Sequence, residues 1–227
     1  MLFTGLKKAD FYSNFLANNL QEVLGLIYVP NKTEGASYEH KLVVKANRPG
    51  IYTTDRLLKS VKTSMADLGE DDCILMHGNL VVVVLCCLIQ SNRFGGLKLA
   101  IGNERKVAKY LDIRMPEKTP EKNGNTIPVV YTIDDQGHDL KKAEKYGTIR
   151  KIFTSPMTSV NRNCNHCLSF CSKNVECEDM MLLAGQKYLN AIACSVAMIK
   201  NGHVKMIIFD AKRRDYFLRD ITKEMIQ

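Results

Sequence analysis

The chain has 227 residues, 45% of them apolar and 25% charged, which is ordinary for a globular protein and ample for a real core. Thirty-two Lys and Arg against 24 Asp and Glu leave a formal charge of +8, an excess that attracts polyanions such as nucleic acid or an anionic membrane surface. The longest apolar run, Leu80 to Ile89, is about half the length of a membrane-spanning helix, which excludes a transmembrane span there.

Met1 to Lys8 lacks the apolar core and cleavage site of a signal peptide. Cys86 and Cys87 lie inside the most apolar run, where reduced cysteine packs as a small hydrophobe. The eight cysteines are therefore expected to be reduced, in a soluble intracellular protein.

In chain order, Asp10 to Leu26 places Phe11, Phe15, Leu16, Leu20, Val23 and Leu24 on one helical face. A turn-rich stretch follows from Pro30 to Ser37, then short strands over Lys41 to Ala46 and Gly50 to Thr53. Asp55 to Leu68 predicts a short helix with Asp55 near its cap. Cys73 to Met76 and Asn79 to Gln90 predict buried strand, because four consecutive valines have restricted rotamers in a helix. Leu97 to Gly102 is the next strand, reached through Asn92 to Gly96 as a hairpin.

Asn103 to Leu111 reads as a helical turn, Met115 to Asn125 as a long surface loop, and Ile127 to Ile133 as strand. Thr148 to Thr154 is predicted as strand and Asn161 to Lys173 as helix. Tyr188 to Ile199 and Val204 to Phe209 flank Asn201-Gly202, the pairing most typical of a two-residue hairpin turn. Arg213 to Gln227, with Phe217, Ile221 and Met225 four apart, predicts a closing helix. No internal repeat is visible. The expected fold is mainly β with flanking α-helices, a jelly-roll-like β-sandwich. Its expected parts are an N-terminal helical arm over 1–36, a β-sandwich core over 37–210 and a C-terminal helix over 211–227.

For chemistry, Cys164, Cys167, Cys171 and Cys177 supply four thiolates within fourteen residues, enough for a tetrahedral zinc site, with His166 as a substitute ligand. The alternative is a helix whose buried face uses small thiols. His166 and His203 are the available bases for a nucleophilic cysteine, but neither sits in a nucleophile motif. Asn92 to Gly96 lacks both P-loop and Rossmann spacing. The expectation is that the protein is not an enzyme. Lys141, Lys142, Lys145, Arg150 and Lys151, with Lys212, Arg213 and Arg214, are the candidate phosphate-contacting residues, and Arg48 and Arg93 extend the set. Tyr146 and Phe153 interleave with them as candidates for stacking on exposed bases.

The segment LVVVVLCCLIQ, a break ending in Gly95-Gly96, and LKLAIGNERK resemble the core of plant-virus movement proteins of the thirty-kilodalton superfamily. YGTIRKIFTSPMTSV and LLAGQKYLNAIACSVAMIKNGHVKM resemble that family's later elements, although Asn103 stands where the family usually has aspartate. The resemblance implies a viral movement-type protein that binds single-stranded RNA non-specifically and carries viral genomes through plasmodesmata. It would act in the host cytoplasm and at the cell periphery as a homo-oligomer with host factors and peripheral membrane association. Two alternatives stand beside it: a viral matrix or structural protein self-assembling at a membrane, and a zinc-dependent nucleic-acid-binding regulator.

Overall fold

A computed structural model of the chain describes residues 27–31, 41–45, 55–76, 79–103, 106–117, 127–133, 140–154 and 157–227. The helix predicted over 10–26 and the strand predicted over 50–53 lie outside these. The described strands are β1 (Ile27–Asn31), β2 (Lys41–Lys45), β3 (Cys73–Leu75), β4 (Gly96–Asn103), β5 (Lys106–Arg114), β6 (Val129–Thr132), β7 (Thr148–Lys151), β8 (Met180–Leu182), β9 (His203–Asp210) and β10 (Asp215–Thr222). The helices are α1 (Asp55–Ser64), α2 (Leu80–Phe94), α3 (Val160–Asn174), α4 (Lys187–Asn201) and α5 (Lys223–Ile226), and two 3-10 turns lie between β6 and β7.

The strands form two five-stranded sheets, β2-β1-β3-β4-β5 and β7-β6-β8-β9-β10. In each, the first three pairings are parallel and only the final hairpin is antiparallel. This is mixed α/β architecture. A jelly roll is built from antiparallel strands, and parallel pairs need crossovers such as helices, so the expected β-sandwich gives way to two α/β layers.

The two sheets are repeats of one unit. The same interval of 107 residues separates Cys73 from Met180, Leu80 from Lys187 and Gly96 from His203, the starts of β3 and β8, α2 and α4, β4 and β9. The register repeats too, since Ile74 pairs Leu99 and Met181 pairs Met206. At that interval the sequence itself matches at Leu75 and Leu182, Cys87 and Cys194, Gly95 and Gly202, and Lys98 and Lys205. The two units share their geometry and little of their sequence.

The valine run is helix α2. Asn79 caps it by accepting from the Val81 and Val82 amides, and Gly95 ends it at φ 68°. Helix propensity costs each valine at most about 0.7 kcal/mol relative to alanine, whereas burying its side chain returns about 1.5 kcal/mol or more. All residues from Val81 to Ser91 are buried, so burial wins. The second misread stretch is α4, buried from Tyr188 to Met198. Asn201-Gly202 is its end, with Gly202 at φ 78° as the left-handed cap. The glycine satisfies a helix end and a hairpin turn by the same freedom, so the pair alone does not separate them.

At the C-terminus the predicted helix is strand β10 with the short α5 after it. Phe217 and Ile221 belong to the inner face of the strand and pack on the main core, while Tyr216 packs on the other face. Asn103 to Leu111, read as a helical turn, runs largely in β5.

Helices α2 and α4 are in contact, and one continuous core joins them to side chains from both sheets. Leu57 and Leu58 of α1 and Val81 and Leu85 of α2 meet Met206 and Ile208 of β9 around one small cavity. The helices of the first unit therefore rest against the sheet of the second. The far face of that second sheet carries a smaller core of Val130, Met180, Leu182, Ile207 and Tyr216, closed by Ala143 from the 3-10 segment. Among the described residues no helix is long and apolar enough to cross a membrane.

Candidate functional site

In the second sheet the chain leaves β6 to form β7 at one edge, then returns through α3 to β8 on the other side of β6. The switch point lies between β6 and β8, and the corresponding one in the first sheet lies between β1 and β3. Open α/β sheets bind ligands beyond the carboxyl ends of their strands at such points, because the connections diverge there and leave a crevice.

Both crevices open at the same pole. Helix α1 links two parallel strands, so its last turn lies at the amino edge of the first sheet. Lys62 in that turn donates to the Met225 carbonyl of α5, 3.0 Å away. Helix α5 follows β10, whose last residue Thr222 pairs with His203 at the amino edge of the second sheet. With the amino edges together, the carboxyl edges share the opposite pole, and α1, α2, α3 and α4 all begin there. Each helix start presents the positive end of its dipole, a setting that favours phosphate or carboxylate.

The second unit's share of this pole is the more fully described. Gly185 (φ 78°) turns the chain from β8 toward α4. Buried Asn190 reaches back, its Nδ2 donating to the Ala184 carbonyl at 2.7 Å and the Gln186 carbonyl at 2.9 Å. That draws two loop carbonyls inward. Gln186 at the cap position of α4 supplies no side-chain bond to the first amides. Ser159 caps α3 by accepting from the Arg162 amide. Thr158 Oγ1 donates to Asn163 Oδ1 at 2.5 Å. Asn163 also bonds Tyr188, and burial of that phenol, with the nearby Cys164 thiol, pushes it up to about 12. A polar bridge thus ties the start of α3 to the start of α4. Lys187 in the first turn of α4 is half-buried, and Arg162 in the first turn of α3 is exposed. On the loop ahead of α3, Phe153 is 72% and Met157 93% exposed. Large apolar side chains standing in water beside anion-seeking helix ends suit a ligand with flat rings and phosphates.

The predicted basic residues separate into two groups. Lys142 donates to the Arg214 carbonyl at 3.0 Å and Lys145 pairs Asp215 at 2.7 Å. The 3-10 segment carrying Lys141, Lys142 and Lys145 therefore lies beside the β9–β10 turn carrying Lys212, Arg213 and Arg214, with Arg213 also near Asp210 at 3.7 Å. Arg150 and Lys151 are on β7 at the other edge of the sheet, four strand spacings and about 19 Å from β10. The β9–β10 turn lies at the carboxyl pole. Residues 185–187, Asn190, Arg162 and Asn163 were missed by sequence reasoning; the legible signal was Gly-Gln-Lys before an apolar run, a helix start misread as strand.

The four candidate zinc ligands are not gathered. Cys164, Cys167 and Cys171 share the buried face of α3, where Cys167 lies against the Leu189 carbonyl of α4, while Cys177 sits beyond the helix end against His203. Among the described residues no three His, Cys, Asp or Glu side chains have metal-binding placement. Cys164, Cys167 and Cys171 pack as small buried side chains on α3.

A family described as "Phage Pam3 gp32-like protein" matches residues 130–222, which run from β6 to the end of β10. Among solved structures, the Acinetobacter baumannii Cap4 SAVED/CARF-domain containing receptor with the cyclic trinucleotide 2'3'3'-cAAA is 13% identical. It aligns over 94% of this chain and 55% of its own at TM-score 0.53. The receptor without that ligand gives 10% identity, 95% and 55% coverage and TM-score 0.53. With 3'3'3'-cAAA it gives 12%, 92% and 52%, and 0.50. The chain thus spans about half the length of these receptors and shares their fold. No curated protein matches. A phage family over one repeat and a bacterial receptor fold over nearly the whole chain overturn the resemblance to plant-virus movement proteins. With it go the movement function, the transport of viral genomes and the plasmodesmal location.

Proposed function

We propose that the chain is a nucleotide-sensing module that binds a cyclic oligonucleotide at its carboxyl pole. The helix starts of the two repeats together would form one composite anion site. The observation that carries this reading is the convergence of four helix N-termini from duplicated α/β units at one pole, in a fold whose solved neighbours include receptors carrying cyclic trinucleotides. In this reading the free amides of α4, with Lys187 and Arg162, meet phosphates, and Phe153 meets a base face. The basic turn Lys212, Arg213 and Arg214 raises the local concentration of the anion. The module recognises and does not catalyse.

The test is thermal unfolding with cyclic di-, tri- and tetra-adenylates, their linear counterparts and ATP. A ligand at a hundred times its Kd stabilises by about 2.7 kcal/mol, a Tm rise of roughly 5–11 °C for a protein of this size. A cyclic compound should give this rise, and Arg162→Ala with Lys187→Ala should reduce it. No shift with any cyclic compound, or an equal shift with ATP, overturns the proposal.

A further inference from the structure

At the pole opposite the helix starts, three side chains from three elements align. Cys177, in the turn between α3 and β8, has Sγ 3.2 Å from His203 Nε2. His203 opens β9, and its Nδ1 lies 3.1 Å from Asp220 Oδ1 on β10. The imidazole therefore stands between a thiol and a carboxylate, one on each ring nitrogen. This is the order in which a base is oriented by an acid and faces a nucleophile. Because the two partners use opposite nitrogens, the three groups are in line and do not converge on a common point. Cys177 is half-buried, whereas the other seven cysteines are buried.

We propose that Cys177 is a nucleophilic thiol, activated by His203 and positioned through Asp220, that forms a mixed disulfide with small disulfides. The Sγ proton passes to His203 Nε2, and the thiolate attacks one sulfur of the small disulfide. A new S–S bond forms at Cys177 as the original S–S bond breaks. The departing thiolate takes the proton from Nε2. One thiol and one disulfide enter, and one mixed disulfide and one thiol leave.

Acyl transfer would need amides aimed at an oxyanion, a requirement that sulfur exchange does not have. On either side of Cys177 the Glu176 amide already donates to Asp179 Oδ2 and the Asp179 amide to the Glu176 carbonyl. Sulfur exchange develops no oxyanion. The charges facing the site are Glu176, Glu178 and Asp179 from its own turn, Lys200 from α4, Lys205 from β9 and Asp220 from β10. Glu178 is paired with Lys205 at 2.5 Å, and the Asp179 carboxylate accepts the Val129 and Glu176 amides. Lys200 donates to the Ser172 and Val175 carbonyls just ahead of the thiol. The site stands apart from the proposed ligand pole by the length of β9, about 23 Å.

The experiment treats the folded full chain with an excess of an aromatic disulfide across pH 5–10. One equivalent should react rapidly and map to Cys177, and Cys177→Ser should lose it. Relative to His203→Gln, the native chain should react about threefold faster at pH 7. The midpoint of its rate against pH should also lie at least about one unit lower. Asp220→Asn should shift the midpoint partway toward that of His203→Gln. A rapid equivalent that survives in Cys177→Ser overturns the proposal, as does an unchanged midpoint in His203→Gln. If either histidine or aspartate variant fails to fold, the native curve alone decides, and a midpoint at the ordinary thiol value near 8.5 overturns it.

Discussion

Replacing Asn190 by alanine should cost about 2–4 kcal/mol and loosen the loop before α4. Asn190 is 2% exposed, and its Nδ2 donates to the Ala184 and Gln186 carbonyls. The Gln186 carbonyl keeps the backbone amide of residue 190 as a helical partner. The Ala184 carbonyl has no such second donor among the described bonds, and an orphaned buried acceptor costs about 1–3 kcal/mol. Loss of the second bond adds about 1 kcal/mol. At roughly 2–4 °C per kcal/mol for a chain of this size, Tm should fall by about 4–16 °C in a fluorescence-monitored melt. The same loop carries the helix start assigned to the ligand, so the cyclic-nucleotide Tm shift should shrink as well. A loss below 1 kcal/mol with an undiminished ligand shift would refute the role given to this side chain.

Other substitutions separate burial from backbone geometry. Gly147→Ala should destabilise by about 2–4 kcal/mol in urea titration, because an added Cβ would stand 2.5 Å from the Pro128 carbonyl oxygen. Ser195→Ala should be neutral or stabilising by up to about 1 kcal/mol, since the buried Ser195 Oγ has no partner and alanine is the better helix former. Burial pushes Cys73 and Cys164 from about 9 up to about 12. Folding holds these protons more tightly than the unfolded chain, so their stability is whole below pH 9 and is lost as pH rises toward 12. Between pH 9 and 10 each should remove up to about 1.4 kcal/mol. The urea midpoint should therefore fall over that interval, and Cys73→Ala with Cys164→Ala should flatten the fall.

Several elements were legible because local pattern and packing agree there. Asp55 to Leu68 shows helical spacing with one buried face, and α1 forms there. Ile127 to Ile133 and Thr148 to Thr154 read as strands, and β6 and β7 lie within them. The two misread helices share one cause. Helices α2 and α4 are buried on every side, so neither shows the polar stripe by which a surface helix is recognised. A short apolar run with no stripe looks like a buried strand, and β-branched residues in α2 strengthened that appearance. With both read as strands, the β-α-β rhythm that marks parallel sheets vanishes, and the repeat with it. Of the candidate site, the cationic residues were legible and their separation into two groups was not, because it depends on strand order. Cys177 and His203 are both legible as residues, but their contact crosses 26 positions and is set by the parallel pairing of β8 with β9.

The all-round burial of α2 and α4 also determines why the pole is composite. A helix apolar on every side needs cover beyond its own sheet. Each of these two supplies cover to the other, with the second sheet closing over α1 and α2 at the Leu57, Val81 and Ile208 cluster. Neither unit could bury its central helix alone, so the two fold as one body around a shared core. That requirement fixes how the units face each other, and the Lys62 to Met225 bond marks the side on which their amino edges meet. The helix starts gather at the other side as a consequence of core packing. The gathering of helix starts from both repeats therefore follows from the hydrophobic pattern of two segments that contain no cationic residue between Val81 and Ser91 or between Tyr188 and Met198.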